Sequence, residues 1–184
     1  MSETFWDRRG LYGVMAEFEE PEQLLVATER AYRAGYRKMD AYSPMPVEGL
    51  AEALGFTRTW VSPLVLAGGL SGCIGGFGLL YWITTIAYAH NVAGHPYNSW
   101  PMYIPITFEV TVLLSSLTAV IGMLALNGLP MPYHPVFNVP EFAKRGSRDR
   151  FFLCIEAADP MFDLQRTKEF LKQFNPEEVA EVEK

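Results

Sequence analysis

The chain has 184 residues, of which 49% are apolar and 20% charged, and its formal net charge is −6. This acidic balance disfavours nucleic-acid binding, which needs a basic surface with interleaved aromatic side chains. The charge is also unevenly distributed, because Glu109 is the only Asp, Glu, Lys or Arg between Arg58 and Glu141. A long uncharged region split by a polar loop predicts two transmembrane helices, so an ordinary cytosolic protein is excluded.

The first cytoplasmic segment, residues 1–57, predicts a β-α-β half. A strand is expected over residues 11–18, followed by an amphipathic helix that opens at Pro21 and ends at Gly35. A second strand is expected over residues 36–42. The Ser-Pro-Met-Pro sequence after it breaks the strand and leads to a short helix over residues 47–54.

Residues 58–128 predict a transmembrane hairpin with helices over about 60–88 and 104–126 and an outer loop over 89–103. All 15 Lys and Arg residues lie outside the two helices and the loop that connects them, and they flank this region on both sides. The positive-inside rule therefore predicts a multi-pass protein with both termini in the cytoplasm. Aromatic residues that suit the outer membrane interface cluster at the loop ends of the two spans: Tyr81, Trp82, Tyr88, Trp100 and Tyr103.

Residues 129–184 predict a proline-rich segment followed by a second β-α-β half. Residues 130–137 contain three prolines and are expected to lie extended on the inner membrane face or on a neighbour. A strand over 151–157, a helix capped by Asp163 and a strand over 178–182 follow. The predicted fold is an α+β membrane protein, in which a two-helix transmembrane hairpin is inserted into a ferredoxin-like split β-α-β cytoplasmic domain.

Glycines at spacing four mark one face of the first span: Gly68, Gly72 and Gly76. Small residues at such positions let another helix backbone approach closely. This helix-packing face could contact the second span of the same hairpin or a larger membrane subunit. Because further glycines occupy other faces, we expect at least some of the packing to be between subunits.

Glu109 is an intramembrane carboxylate about 8 Å below the outer end of the second span. Such residues are costly in a bilayer and are often functional, so Glu109 is a candidate proton relay or hydrogen-bonding group toward a partner. The alternative is a structural hydrogen bond within the helix bundle, for which Thr107, Thr111 and Ser115 are expected to lie nearby.

The remaining polar candidates are dispersed. His95 and Tyr97 lie in the outer loop and His134 on the inner side, so the histidines are not expected to share a metal site. Each is a candidate contact for a partner or a quinol headgroup, and the alternative is an imidazole that caps or fixes a loop. The two cysteines do not form a haem-attachment or iron–sulfur motif, and no independent enzyme site is predicted.

Several segments, in order, carry a family resemblance: residues 11–18, 35–50, 105–109, 133–137 and 149–152. Together they resemble the D-type subunit of bacterial alternative complex III, a membrane quinol:cytochrome c (or other acceptor) oxidoreductase. The resemblance implies a non-catalytic accessory subunit of an electron-transfer complex in the bacterial cytoplasmic membrane. Haem c, iron–sulfur clusters and quinol are then expected in partner subunits, among them a multi-helix quinol-binding subunit, and no cofactor in this chain.

Two other functions remain open from the residues alone. A small transporter or metal-handling protein requires metal ligands close together, whereas the histidines are predicted on opposite sides of the membrane. A self-associating membrane sensor would use its glycine face to form a homodimer. That protein would be a stable homo-oligomer in detergent, whereas an accessory subunit would be unstable without its partners.

Overall fold

The computed structural model describes residues 10–91 and 93–184, which divide into two compact units. One unit joins the described residues up to Thr57 with Pro132–Lys184, and the other is Arg58–Met131. The segments on either side of the apolar region therefore fold together, although they are far apart in sequence.

The first unit is built on a four-stranded antiparallel sheet. Its strands are β1 Leu11–Phe18, β2 Met39–Tyr42, β3 Phe151–Glu156 and β4 Glu178–Glu183, in the spatial order β2-β3-β1-β4. The central pair has Val14 opposite Ile155, so the two inner strands come from opposite ends of the chain. The α+β class is confirmed, and the sheet exists only when both terminal segments are present.

The helices are α1 Pro21–Ala34, α2 Leu50–Ala53, α3 Val61–Trp82, α4 Ile104–Leu126, α5 Pro140–Arg145 and α6 Leu164–Lys172. A π-helical segment, Ile83–Ala87, extends α3, and 3₁₀ turns occupy Trp100–Tyr103 and Pro135–Asn138. Gly35 ends α1 with a φ of 110°, a left-handed conformation that glycine adopts without steric cost.

One face of the sheet is covered by α1 and α6. The apolar stripe of α1 buries Leu24 and Ala31, and α6 buries Leu171, against strand residues such as Val14 and Leu153. The predicted amphipathic helices are confirmed by this burial. Removing these side chains from water is the main favourable contribution to the unit's stability.

The opposite face of the sheet is covered by the proline-rich segment and α5. Val136, Val139 and Phe142 pack on Met15 and Phe152, and Val136 is 1% exposed. The prediction of an extended segment over 130–137 is wrong from Pro135 onward, where a 3₁₀ turn begins. Proline is tolerated at the first position of a helix, because its missing N–H would have no intrahelical partner there.

The second unit consists mainly of α3 and α4, which are long and apolar. The stretches Val61–Ala87 and Trp100–Leu126 each have 27 residues. Their most apolar 18-residue segments have mean hydropathies of 1.7 and 1.9, and 11% and 0% of those segments is buried. Such a helix is about 40 Å long, enough to cross a hydrocarbon core of about 30 Å. Because these segments are exposed, the helices do not resemble the buried core helices of a soluble protein.

Candidate functional site

The glycine face of α3 packs against α4 of the same chain. A Cβ atom added to Gly72 would lie 2.9 Å from both Thr111 Cα and Val110 O, and one added to Gly76 would lie 3.3 Å from Val110 Cβ. Toward the other end of the interface, Gly68 faces Thr118. The contacting residues on α4 have lower residue numbers where those on α3 have higher ones, so the two helices run antiparallel.

Of the two partners left open for the face of Gly68, Gly72 and Gly76, the structure shows the second span of the same chain. Gly72 and Gly76 are buried within the chain, because the absence of side chains lets the two backbones approach closely. The outward glycines are Gly75 and Gly78, which have nothing within 4 Å of an added Cβ. Any neighbouring helix on α3 would meet this second set.

Glu109 lies on the exposed side of α4, apart from the hydroxyl groups expected beside it. Thr107 is buried, and Thr111 and Ser115 face α3, where their hydroxyls donate to the carbonyls of Thr107 and Thr111 at 2.7 and 2.8 Å. In residues 10–91 and 93–184, Glu109 has no hydrogen bond or ion pair. An ionised carboxylate costs roughly 2.5–3.5 kcal/mol at the bilayer centre and less near an interface, so an unpaired Glu109 would be unfavourable for an isolated chain in a membrane.

His95 and Tyr97 line a cavity of about 450 Å³ at the loop end of the helix pair. Thr84, Tyr88 and His90 also line it, and among the described lining residues there is no Asp, Glu, Lys or Arg. Tyr103 fixes its floor, because its hydroxyl lies 2.5 Å from Thr84 Oγ1 and donates to the Tyr97 carbonyl at 3.2 Å. The cavity offers uncharged hydrogen-bonding groups beside apolar walls.

His134 belongs to the other unit, where it caps the 3₁₀ turn. Its Nδ1 accepts from the Val136 N–H at 3.4 Å, which leaves Nε2 to carry the proton of the neutral ring. Nε2 lies 3.4 Å from the Tyr12 hydroxyl, and that hydroxyl donates to Glu156 at 3.3 Å. The ring is half-buried and acts as the loop-fixing imidazole that was the alternative to a partner contact.

Replacing His134 by alanine is expected to lower the stability of the sheet-containing unit by about 1 kcal/mol, the usual cost of losing a helix cap. The asparagine variant keeps an acceptor at this position and should recover much of the loss. Thermal unfolding of the purified protein measures both variants. Equal midpoints for wild type and His134→Ala would show that the cap is energetically irrelevant.

The family model for the ActD subunit of alternative complex III matches residues 12–181. The chain belongs to the ActD family. This match runs from β1 to β4 and includes both apolar helices, and it confirms the family resemblance carried by the sequence segments. A comparison with curated proteins found no match.

ActD membership makes the chain an accessory subunit of an electron-transport complex and implies that other subunits of the complex are its partners. Together with the two apolar helices, it suggests a membrane protein. In the described part of this ActD chain, no three His, Cys, Asp or Glu side chains are grouped closely enough to hold a metal ion.

A buried carboxylate in this ActD chain escaped the sequence analysis. Glu17 is 6% exposed on β1, and its Oε1 lies 3.4 Å from Arg150 Nε and 3.7 Å from an Arg145 nitrogen. Burial raises the pKa of Glu17 above its ordinary value, and the two guanidinium groups only partly offset that effect. The alternation of side chains along β1 could have predicted that Glu17 lies on the same face of the sheet as Met15. It could not have predicted that Arg145 and Arg150 are the partners of Glu17.

Replacing Glu17 by glutamine should change how stability depends on pH. Since the folded-state pKa of Glu17 is raised, its contribution is fully present below the unfolded pKa and is lost as pH rises through the folded value. In the glutamine variant, the free energy of unfolding should lack this decline. Denaturant unfolding at a series of pH values from about pH 4 upward measures it. Glu19→Gln is the control, because Glu19 also contacts Arg150 but its side chain is 64% exposed. Parallel pH profiles for wild type and Glu17→Gln would contradict the expectation.

A second missed carboxylate ties two loops of the ActD fold together. Asp159, 2% exposed, accepts hydrogen bonds from the backbone N–H groups of Arg37 at 2.6 Å, Lys38 at 2.8 Å and Met161 at 2.8 Å. Burial acts to raise the pKa of Asp159, but the three donors outweigh it and hold the pKa below its ordinary value. Asp159 thus fixes the turn before β2 against the turn after β3.

The cluster of Tyr12, Tyr42 and Cys154 beside His134 combines two half-buried hydroxyl groups with a buried thiol, and it resists ionisation. Burial, assisted by neighbouring acidic groups, raises the pKa values of Tyr12, Tyr42 and the Cys154 thiol well above their ordinary ranges. A thiol held protonated is a poor nucleophile and a poor metal ligand. The cluster is therefore suited to packing rather than to catalysis.

Proposed function

We propose that this ActD-family chain is a non-catalytic integral membrane subunit of alternative complex III that supports the assembly and stability of the complex. The observation that carries the proposal is the exposure of α3 and α4, whose most apolar 18-residue segments are 11% and 0% buried. An apolar surface of this size needs lipid or other membrane helices around it.

The proposed topology is a hairpin with both termini in the cytoplasm. It is supported by the charge distribution, because all 15 Lys and Arg residues flank the two apolar helices and none lies in the connecting loop. The sheet-containing unit is then cytoplasmic. Its strand order, β2-β3-β1-β4, with α1 after β1 and α6 after β3, supports a ferredoxin-like assignment.

The redox groups of the complex, haem c, iron–sulfur clusters and quinol, are proposed to reside in other subunits. The chain has two cysteines, Cys73 in the apolar helix pair and Cys154 in the sheet, so it lacks the cysteine sets that hold haem c and iron–sulfur clusters. A multi-helix quinol-binding subunit is the proposed main partner of the hairpin, and the cavity at His95 and Tyr97 is a proposed contact at the loop side.

A finer proposal assigns Glu109 to an intramembrane hydrogen-bond or proton network near the outer side. The carboxylate faces away from α3, so the network would have to continue into a neighbouring subunit. Glu109→Gln removes the carboxyl group from this network, and the assembled variant should show an altered pH dependence of quinol oxidation. Unchanged rates and pH dependence in the assembled variant would contradict this role.

Gentle detergent extraction from native membranes, followed by affinity purification on this chain, tests the main proposal. Mass spectrometry and a haem spectrum of the purified material identify what accompanies it. We expect subunits with haem c and iron–sulfur clusters and quinol oxidation activity. A colourless homo-oligomer would overturn the proposal and favour a self-associating membrane sensor.

A further inference from the structure

We infer that the face of α4 that carries Glu109 docks onto a transmembrane helix of a neighbouring subunit, and that this helix presents a Lys or Arg side chain to the carboxylate. The inference rests on the proposed membrane-subunit function. It adds to that function the docking face and the chemistry of the partner.

The docking face lies opposite the contact between the two helices. Thr107, Thr111 and Thr118 lie on the side of α4 that faces the glycines of α3. At about 100° per residue, Glu109 is rotated by about 170° to 190° from the centre of that contact. One and two turns further along, Val112 is 49% exposed and Ser116 is also exposed. The docking face, defined by residues 109, 112, 116 and 120, is thus free of contacts with α3.

Charge complementarity specifies the occupant of this face. The apolar helices contain no Lys or Arg, so the chain offers no intramembrane cation to neutralise Glu109. Lipid tails cannot donate hydrogen bonds, and a carboxylate facing them must be protonated or reach toward water. A basic side chain on a neighbouring helix neutralises the charge, and the apolar residues around Glu109 can pack on the same helix.

A photo-crosslinking amino acid at Val112 tests the proposal in the intact complex. Ile74 is the matched control position, because it is 71% exposed on the outward side of α3. Ile74 lies between Gly72 and Gly76, and these glycines face Thr111 and Thr107 on α4. Because Glu109 lies between those two threonines, Ile74 and Glu109 are at a similar depth along the helix pair. We expect Val112 to crosslink one partner peptide that contains a Lys or Arg within about one helical turn, at least fivefold more strongly than Ile74.

Substitution of Glu109 then tests the role of its charge. With the crosslinker at Val112, Glu109→Gln should reduce the adduct about tenfold, which corresponds to about 1.4 kcal/mol, and Glu109→Asp should retain most of it. Because Glu109 does not contact α3, the variants should insert normally, and the amount of chain in the membrane checks this. Glu109→Lys alone should give little adduct. The adduct should return when the partner's basic residue is also exchanged for Glu.

Three results would overturn the inference: lipid adducts alone at Val112, a partner peptide without a basic residue, or an adduct that Glu109→Gln leaves unchanged. Each would be observed in a complex that still co-purifies with its redox subunits. Failure of the docking proposal is therefore distinguishable from failure of the proposed function, in which the unmodified chain would not co-purify with those subunits.

Discussion

Replacing Gly72 by alanine should destabilise the packing of α3 against α4 by about 2 kcal/mol, within the usual 1–3 kcal/mol range for overpacking. The new methyl group would lie 2.9 Å from Thr111 Cα and from Val110 O. Both are backbone atoms, which cannot rotate away as a side chain can, so the helices must separate. Unfolding of the purified protein in detergent, followed by tryptophan fluorescence, measures the loss.

Gly75→Ala is the matched control for this experiment. It makes the same chemical change three residues away on the same helix, where an added Cβ has nothing within 4 Å. Both variants gain the same helix propensity, which favours Ala over Gly by about 1 kcal/mol. Equal stability of the two variants would show that the close approach of α3 and α4 at Gly72 does not exist in the membrane protein.

Replacing Asp159 by asparagine should cost about 3 kcal/mol at neutral pH. Hydrogen bonds to a charged group contribute about 1.5–3 kcal/mol each, against about 0.5–1.5 kcal/mol for neutral pairs, and Asp159 accepts three of them. Asparagine replaces one of the two carboxylate oxygens by an NH2 group, which cannot accept a hydrogen bond, so at least one backbone donor loses its partner. Denaturant unfolding at pH 7 measures the cost. Asp163→Asn is the control, because asparagine replaces aspartate equally well as an N-cap.

The loss of stability caused by Asp159→Asn should depend on pH. The folded-state pKa of Asp159 is lowered, so its contribution is present above the unfolded pKa of about 3.9 and is lost as pH falls through the folded value. The stability difference between wild type and Asp159→Asn should therefore narrow below about pH 4. A difference that stays constant down to the acid limit of folding would rule out the ionised carboxylate as its cause.

Local pattern was sufficient to predict most elements of the fold. The strand over Leu11–Phe18 and the helix over Ile104–Leu126 have the predicted bounds, because each has a clear apolar pattern and clear ends. The short helix α5 was missed, and β2 is shorter than predicted. Both depend on side chains of distant strands, such as Phe152 beneath Phe142, which no local window contains.

The candidate site was less predictable than the fold. Helical spacing identified the face shared by Gly68, Gly72 and Gly76, but spacing cannot say which helix covers that face. Glu109 was placed beside Thr107 and Thr111 from proximity in sequence, whereas the rotation of α4 around its axis separates them. The roles of Glu17 and Asp159 were missed because Arg150, which pairs with Glu17, and Arg37, which donates to Asp159, lie more than 100 residues away from them along the chain.

The sequence by itself determined two long apolar helices, the amphipathic elements around them and the isolation of one carboxylate among uncharged residues. These properties follow from the order of residue types along the chain, so short-range periodicity in the sequence is sufficient to predict them. The tertiary structure decided which glycines are buried, which side of α4 carries Glu109 outward and which loops Asp159 joins. These depend on how elements far apart in sequence pack together, because close packing is decided in three dimensions by shape and hydrogen bonding.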